Sequence, residues 1–319
     1  MMSMWARTLR IALATTVFTG AVSTLALAND EIEKKIRDEV SRRVNDAITK
    51  RIGDDVTSDI DGMPQTGYSN SAWVTPSYTN ITSDNDSLIE EAGSSFDSDL
   101  WTVPLGIDHR FGDNFFVGLS LAYATSSTDI DTDGSNIDSD FYADTYTVAP
   151  YMAYRFADYF FVSGMFSYAY TDGKSTMDDM PDEDADAQAY SGELALNAAA
   201  PIGDFILKGK AGWRYAYTEL LENSTPEADD DSDVHTAVVS AEVGYNFDPI
   251  IPYVGLQYEH AWPENVPDAP EGDQDFLYVS AGVRSAVNDW FSLGAGFRAE
   301  VINDETNQIG GQLEFKARF

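Results

Sequence analysis

The chain closes on FSLGAGFRAEVINDETNQIGGQLEFKARF, Phe291 to Phe319, and this stretch holds two runs with a period of two. In 308–319, Ile309, Gly311, Leu313, Phe315, Ala317 and Phe319 share one face, with Gly310, Gln312, Glu314, Lys316 and Arg318 on the other. In 291–301, Phe291, Leu293, Ala295, Phe297, Ala299 and Val301 oppose Ser292, Gly294, Gly296, Arg298 and Glu300. Successive side chains of a strand point to opposite faces, so each run is a strand with one apolar and one charged face. Each is about as long as a tilted strand needs to cross a bilayer, roughly ten residues.

The pattern recurs upstream. Runs near 71–81, 100–110, 115–125, 143–155, 160–170, 188–200, 205–218, 234–247, 251–260 and 276–287 bring the total to twelve strands. The connections alternate in length. Every second one is tight: Phe111-Gly112-Asp113-Asn114, Ala157-Asp158, Pro201-Ile202-Gly203-Asp204, Asp248-Pro249-Ile250 and Asn288-Asp289. The others are longer, apart from the short last one at 302–307. Short periplasmic turns alternating with long external loops mark an up-and-down membrane barrel. The expected fold class is all-β, a 12-stranded antiparallel up-and-down transmembrane β-barrel. Its rival, a periplasmic β-sandwich, has no reason to keep that alternation.

Charge gives a separate test, because a charged side chain on the lipid face costs about 2–4 kcal/mol at mid-bilayer. Of the ten basic residues after Gly53, nine lie on the non-apolar parity: Arg110, Arg155, Lys208, Lys210, Arg214, Arg284, Arg298, Lys316 and Arg318. The tenth, Lys174, falls in a long connection. Asp108, Glu193, Glu242, Glu259, Glu300 and Glu314 join them as expected lumen-facing charges. Aromatic residues near strand ends fit the two interfacial girdles of a membrane barrel. Phe115, Tyr154, Tyr159, Phe160, Phe205, Phe247, Trp290 and Phe319 form the expected periplasmic one, and Tyr123, Tyr146, Tyr168, Tyr170, Tyr215 and Tyr217 the external one.

The N-terminal part is different. Arg7 and Arg10 precede an apolar segment from Ile11 to Leu25, and Ala26-Leu27-Ala28 is an A-x-A cleavage site. Residues 1–28 are therefore expected to be a cleaved secretory signal. Residues 29–57 form an expected amphipathic helix, 58–70 a linker and 71–319 the barrel. Asp30 to Asp55 carries Lys34, Lys35, Arg37, Arg42, Arg43, Lys50 and Arg51, while Ile32, Ile36, Val40, Val44, Ile48 and Ile52 recur every four residues. At 3.6 residues per turn that stripe advances by about 40° each step, so it spirals and does not hold a coiled-coil seam. A helix of this length reaches roughly 39 Å, enough to thread a bilayer-high lumen whose acidic wall residues face its basic ones.

These features together resemble the autotransporter β-domain, the translocator of type V secretion. WTVPLGIDHRFGDNFFVGLSLAYATS, Trp101 to Ser126, resembles that family's strand–turn–strand unit, and TYTVAPYMAYRFADYFFVSGMFSYAY, Thr145 to Tyr170, a second copy. Val44 to Asp54 is similar to the linker helix of the enterobacterial serine-protease autotransporters. The resemblance implies an outer-membrane barrel whose terminal aromatics, Phe315 and Phe319, signal to the barrel-assembly machinery. Two departures stand beside it. The family carries a passenger between signal and helix, and none is evident here. Some members cut the linker between two asparagines, whereas this chain has Asn45-Asp46, one residue out of register.

No catalytic residue is expected. His109, His235 and His260 have no Ser or Asp spacing that suggests a triad. Cysteine is absent, so there is no disulfide framework or thiolate metal site. Asp129, Asp131 and Asp133, with Asp140 at the twelfth position, match the spacing of a calcium loop, although strands flank them. Ca2+ is the one cofactor to consider. The connections 82–99, 125–144, 171–187, 219–233, 261–275 and 302–307 hold 33 acidic residues and one lysine, within a chain of net charge −35. Such a rim attracts divalent cations and excludes nucleic acid. The expected partners are outer-membrane lipid, lipopolysaccharide through divalent cations, and periplasmic chaperones and assembly machinery during biogenesis. The barrel is expected to be a monomer. The expected function is a membrane anchor with acidic surface loops and a lumen occupied by helix 30–55. The alternatives are a cation-selective outer-membrane pore and an adhesin acting through loops 171–187 and 219–233.

Overall fold

The computed structural model describes residues 69–83, 94–132, 138–177, 183–184, 186–221, 232–264, 274–302 and 306–319, together with Val40, Val44, Asp46, Ala47, Ile48 and Lys50. Residues 1–28, expected to be a signal, most of the expected helix of 29–57, the expected linker 58–70 up to residue 68, Asn45 and Asp133 lie outside the described residues. The strands are β1 (Asn70–Val74), β2 (Ser77–Ser83), β3 (Ser94–Phe111), β4 (Phe115–Thr132), β5 (Asp138–Ala157), β6 (Phe160–Met177) and β7 (Glu183–Asp184). They continue as β8 (Ala187–Ile202), β9 (Phe205–Leu220), β10 (Ser232–Tyr245), β11 (Ile250–Glu264), β12 (Gln274–Asn288), β13 (Phe291–Ile302) and β14 (Asn307–Arg318).

These segments make a closed 12-stranded antiparallel barrel. β1 and β2 are two halves of one stave, interrupted at Thr75-Pro76, and both halves pair with β3 on one side and β14 on the other. β7 is a two-residue addition to β6. Closure leaves no sheet edge, which a bilayer requires because lipid cannot hydrogen-bond an open one. Gly112 and Gly203 sit in two of the tight turns with φ of 63° and 64°, the left-handed region where a side chain is strained.

The parity of the sequence is the parity of the wall. Trp101, Ile107, Leu194 and Val254 are 55, 61, 64 and 61% exposed on the outer face, as expected of side chains that meet lipid. The intervening positions turn inward. Three inward aromatics lie flat on neighbouring glycines: Trp73 on Gly106, Tyr151 on Gly118, and Tyr253 on Gly282 and Gly296. A Cβ at 106 would stand 2.7 Å from two Trp73 ring carbons, and one at 118 would overlap the Tyr151 ring outright. Tyr151 links Trp73 Nε1, which donates to its hydroxyl at 3.0 Å, to Asp108, which accepts from that hydroxyl at 3.2 Å. Gly118→Val should therefore expel Tyr151 and break this chain. We expect the temperature at which the folded band is lost in heat-modifiability gels to fall by at least the amount seen for Tyr151→Ala.

The wall is uneven in height. β3 to β6 run for 18, 18, 20 and 18 residues, against 12 in β13 and β14. Much of what the sequence assigns to loops 82–99, 125–144 and 171–187 is thus strand. Asp97, Asp99, Asp129, Asp131, Asp140 and Asp144 stand on these extensions. The period-two pattern continues there with its polarity changed, because the outer face now meets water. Ile81, Phe96, Ile130, Phe141 and Ala143 form a buried cluster on the inner side.

Candidate functional site

Each of the nine basic and six acidic residues that the sequence directs inward is buried or half-buried, and none is exposed. They do not form one cluster. Asp108 belongs to the Trp73–Tyr151 chain and is bonded by the Ser71 hydroxyl. Arg110 and Arg155 lie near the periplasmic ends of β3 and β5, and Lys316 and Arg318 near that of β14. Glu300 accepts from the Thr306 hydroxyl at 3.3 Å near the opposite end.

The dense grouping spans β8 to β14. Lys210 Nζ stands 3.0 Å from Glu193 Oε1, and Arg214 Nη2 stands 3.1 Å from Glu193 Oε2. Glu259 lies 3.7 Å from Arg214 and 3.6 Å from Arg298. Arg284 binds Glu242 at 2.5 Å and lies over the Tyr253 ring, 4.2 Å from its centroid. Arg298 lies 3.9 Å over the Tyr278 ring in the same manner. Charges taken out of water persist only when paired, and here each has a carboxylate or ring against it.

The N-terminal helix contributes to this grouping. Asp46 accepts from Arg214 Nη2 at 3.2 Å and also from Arg298. Lys50 donates to the Tyr253 hydroxyl at 3.1 Å and pairs with Glu314. On another side, Val44 and Ile48 are fully buried among Trp73, Phe116, Tyr151, Phe161 and Met165, and Val40 meets Leu100 and Ala124. The described helical residues thus touch two opposed parts of the wall, one apolar and one charged. Burying three aliphatic side chains contributes roughly 1.5–3 kcal/mol each. Beside the helix a cavity of about 190 Å3 remains, lined by Lys50, Lys208, Lys210, Arg284 and Arg298 but by only two carboxylates, Asp46 and Glu242.

Sequence reasoning placed Asp46 beside a cleavage position and gave it no wall partner. Its ion pairs span 168 and 252 residues, separations that leave no periodic trace. Opposite charges on helix and wall were the only available signal.

The acidic positions take another form. Asp129 and Asp131 stand on β4 opposite Asp140 and Asp138 of β5, with Asp97 of β3 opposite Asp129 on its other side. This is a flat antiparallel ladder, and among the described residues no group of three or more acidic or histidine side chains is arranged to hold a metal ion. Desolvation first, and then the facing Asp140, raise the Asp129 pKa above the usual carboxylate value. A raised pKa means the folded strand binds the proton more tightly than the unfolded chain. Ionised Asp129 thus opposes folding of the extension above its pKa, and that opposition fades as pH falls through it. Asp129→Asn should slow protease cleavage of the β4–β5 extension at pH 7, with no difference at pH 4. A difference of equal size at both values would contradict the like-charge account.

Comparison with known proteins fits this geometry. The family model described as "Autotransporter beta-domain" matches residues 72–298. The chain belongs to the autotransporter β-domain family. No curated protein sequence matches it. The translocator domain of autotransporter NalP from Neisseria meningitidis superposes on this autotransporter barrel with a TM-score of 0.61 at 14% identity, covering 88% of this chain and 98% of that one. The transport unit of the autotransporter AIDA-I from Escherichia coli gives 0.62 at 13%, covering 81% and 93%. An outer membrane channel from Pseudomonas putida F1 gives 0.55 at 10%, covering 81% and 98%. At such identities these likenesses concern the fold. The family places the autotransporter barrel in the outer membrane, which fixes the tight turns and Phe319 on the periplasmic side.

Proposed function

We propose that this barrel is a membrane anchor whose lumen is filled by the helix of residues 30–55, holding acidic segments at the cell surface. The observation that carries the reading is Asp46, clamped by Arg214 and Arg298 while Val44 and Ile48 bury against the facing wall. A helix held on both flanks is a plug and a tether for whatever it leads to. The acidic ladder on the β3–β6 extension stands beyond the lipid band and gives the exposed surface its charge. The direct test is single-channel conductance with and without residues 30–55. A plug requires a large rise on deletion, and equal conductance contradicts it.

A second reading, a narrow channel, draws on the cavity beside the helix. Its lining has five cationic and two anionic side chains, so a path through it favours anions. That runs against the cation selectivity expected from the acidic rim alone. Under a KCl gradient the sign of the reversal potential decides between rim and lining.

A further inference from the structure

The outward face of β9 to β12 carries an aromatic group unlike the rest of the outer rim. Tyr215, His235 and Trp262 stand opposite one another on β9, β10 and β11. The next row toward the periplasm is Trp213, Ala237, His260 and Asp275. Trp213 and Trp262 stack diagonally, centroids 5.1 Å apart at 22°. His235 packs on both Trp213 and Tyr215, at 5.5 and 4.9 Å, and His260 sets its edge on Trp262 at 4.3 Å. Asp275, 56% exposed at its side chain, accepts from the Tyr258 hydroxyl and meets His260 Nδ1 at 2.6 Å. His235 Nδ1 is buried and has no hydrogen-bond partner among the described residues.

We infer that this patch binds the sugar headgroup of an outer-leaflet glycolipid. The first reason is continuity with the lipid-facing band: Val239, Tyr258 and Leu256 lie in the rows just below it and are exposed. The second is height. Trp213 and Tyr215 stand eight and ten residues beyond Phe205 of the periplasmic girdle. A tilted strand climbs about 2.5 Å per residue, which places the two rows roughly 20–25 Å up, at the top of the apolar band. The third is chemistry. Aromatic faces carry negative potential and take the C–H faces of a pyranose, and carboxylates such as Asp275 accept from its hydroxyls, with His235 packed on Trp213 and Tyr215 to hold the aromatic surface in place. Glu219 and Asp233 continue the strands just above, so the surroundings suit hydroxyls and repel phosphate. Elsewhere the rim pairs tyrosine with aspartate, as in Tyr123–Asp144 and Tyr78–Asp99, with no imidazole or stacked indole pair among the described residues. The inference rests on outer-membrane placement alone and is independent of where the helix sits.

The test is native mass spectrometry of the full chain in detergent with a calcium chelator present. Three lipids are offered: lipid A, lipid A stripped of its phosphates, and phosphatidylglycerol, which has no sugar. Lipid A stripped of its phosphates should be retained at least as well as lipid A, and phosphatidylglycerol about tenfold less than either. Trp213→Ala/Trp262→Ala should lose about tenfold in glycolipid retention, and Trp101→Ala on the far side of the barrel should lose nothing. His235→Ala leaves both indoles in place and should also weaken retention, so the inference stays testable if the double variant fails to assemble. Retention that disappears on dephosphorylation, or that is the same in the native chain and in His235→Ala, overturns the inference.

Discussion

Deleting residues 30–55 will raise single-channel conductance in planar bilayers by roughly tenfold, because a helix about 10 Å across leaves little of a 12-stranded lumen open. Among the described residues, a cavity of about 190 Å3 remains on its charged side. On its apolar side Val44 and Ile48 are 1 and 0% exposed, packed against the wall. Under the proposed plug, small ions in the intact chain would pass only on the charged side, and after deletion they would have the full cross-section. The deletion also exposes Trp73, Phe116 and Met165 to lumen water, so the folded band in heat-modifiability gels should disappear at a lower temperature. A chain that conducts equally well with and without the segment has an empty lumen.

Asp46→Leu will produce repeated full-size openings in an otherwise quiet channel. Asp46 is the helix's anion for two guanidinium groups, Arg214 and Arg298. Charge-assisted hydrogen bonds contribute about 1.5–3 kcal/mol each, so losing two shifts the plug equilibrium by roughly two orders of magnitude or more. The wall should suffer much less. Arg214 keeps Glu193 and Glu259, and Arg298 keeps Glu259, so no buried cation is stranded. The expected signature is a split: gating changes strongly while the unfolding temperature of the barrel moves little. Arg298→Met in the Asp46→Leu background should add less than it does alone, since the two groups share one interaction. If Asp46→Leu traces match those of the native chain, the clamp does not hold the helix.

Most of the fold was legible because a barrel writes itself locally. Each strand of 291–319 shows its two faces in the order of its residues, and each tight turn in its Gly, Asp or Asn. The height of β3 to β6 is not legible from a bilayer-length apolar pattern, which ends where the lipid ends. Beyond the bilayer, Asp97 and Asp99 alternate with Phe96, Ser98 and Leu100 in the same period, but with carboxylates where apolar side chains had been. Asp129, Asp131 and Asp140 stand on facing strands, and residue spacing alone does not distinguish that arrangement from a wrapped loop. At the lumen site the wall charges Glu193, Arg214, Glu259 and Arg298 could be named from parity. Which of them meet, and that Asp46 joins them, depends on how strands far apart in sequence curve toward one helix. The glycine floors under Tyr151 and Tyr253 likewise belong to neighbouring strands and cannot be paired before register is known.

A cross-link tests the helix's position most directly, since the chain has no cysteine of its own to confuse the result. Ala47 of the helix and Ser292 of β13 line the same small cavity. Cysteines at 47 and 292, treated with a short bis-maleimide in intact outer membranes, should join within one chain and alter its gel mobility. The cross-linked protein should keep the low conductance of the native form. A control pair at 292 and 316, facing each other on β13 and β14, should react in any folded barrel. Joining of 292 to 316 but never of 47 to 292 would show a folded barrel without its helix, and the plug would have to be abandoned.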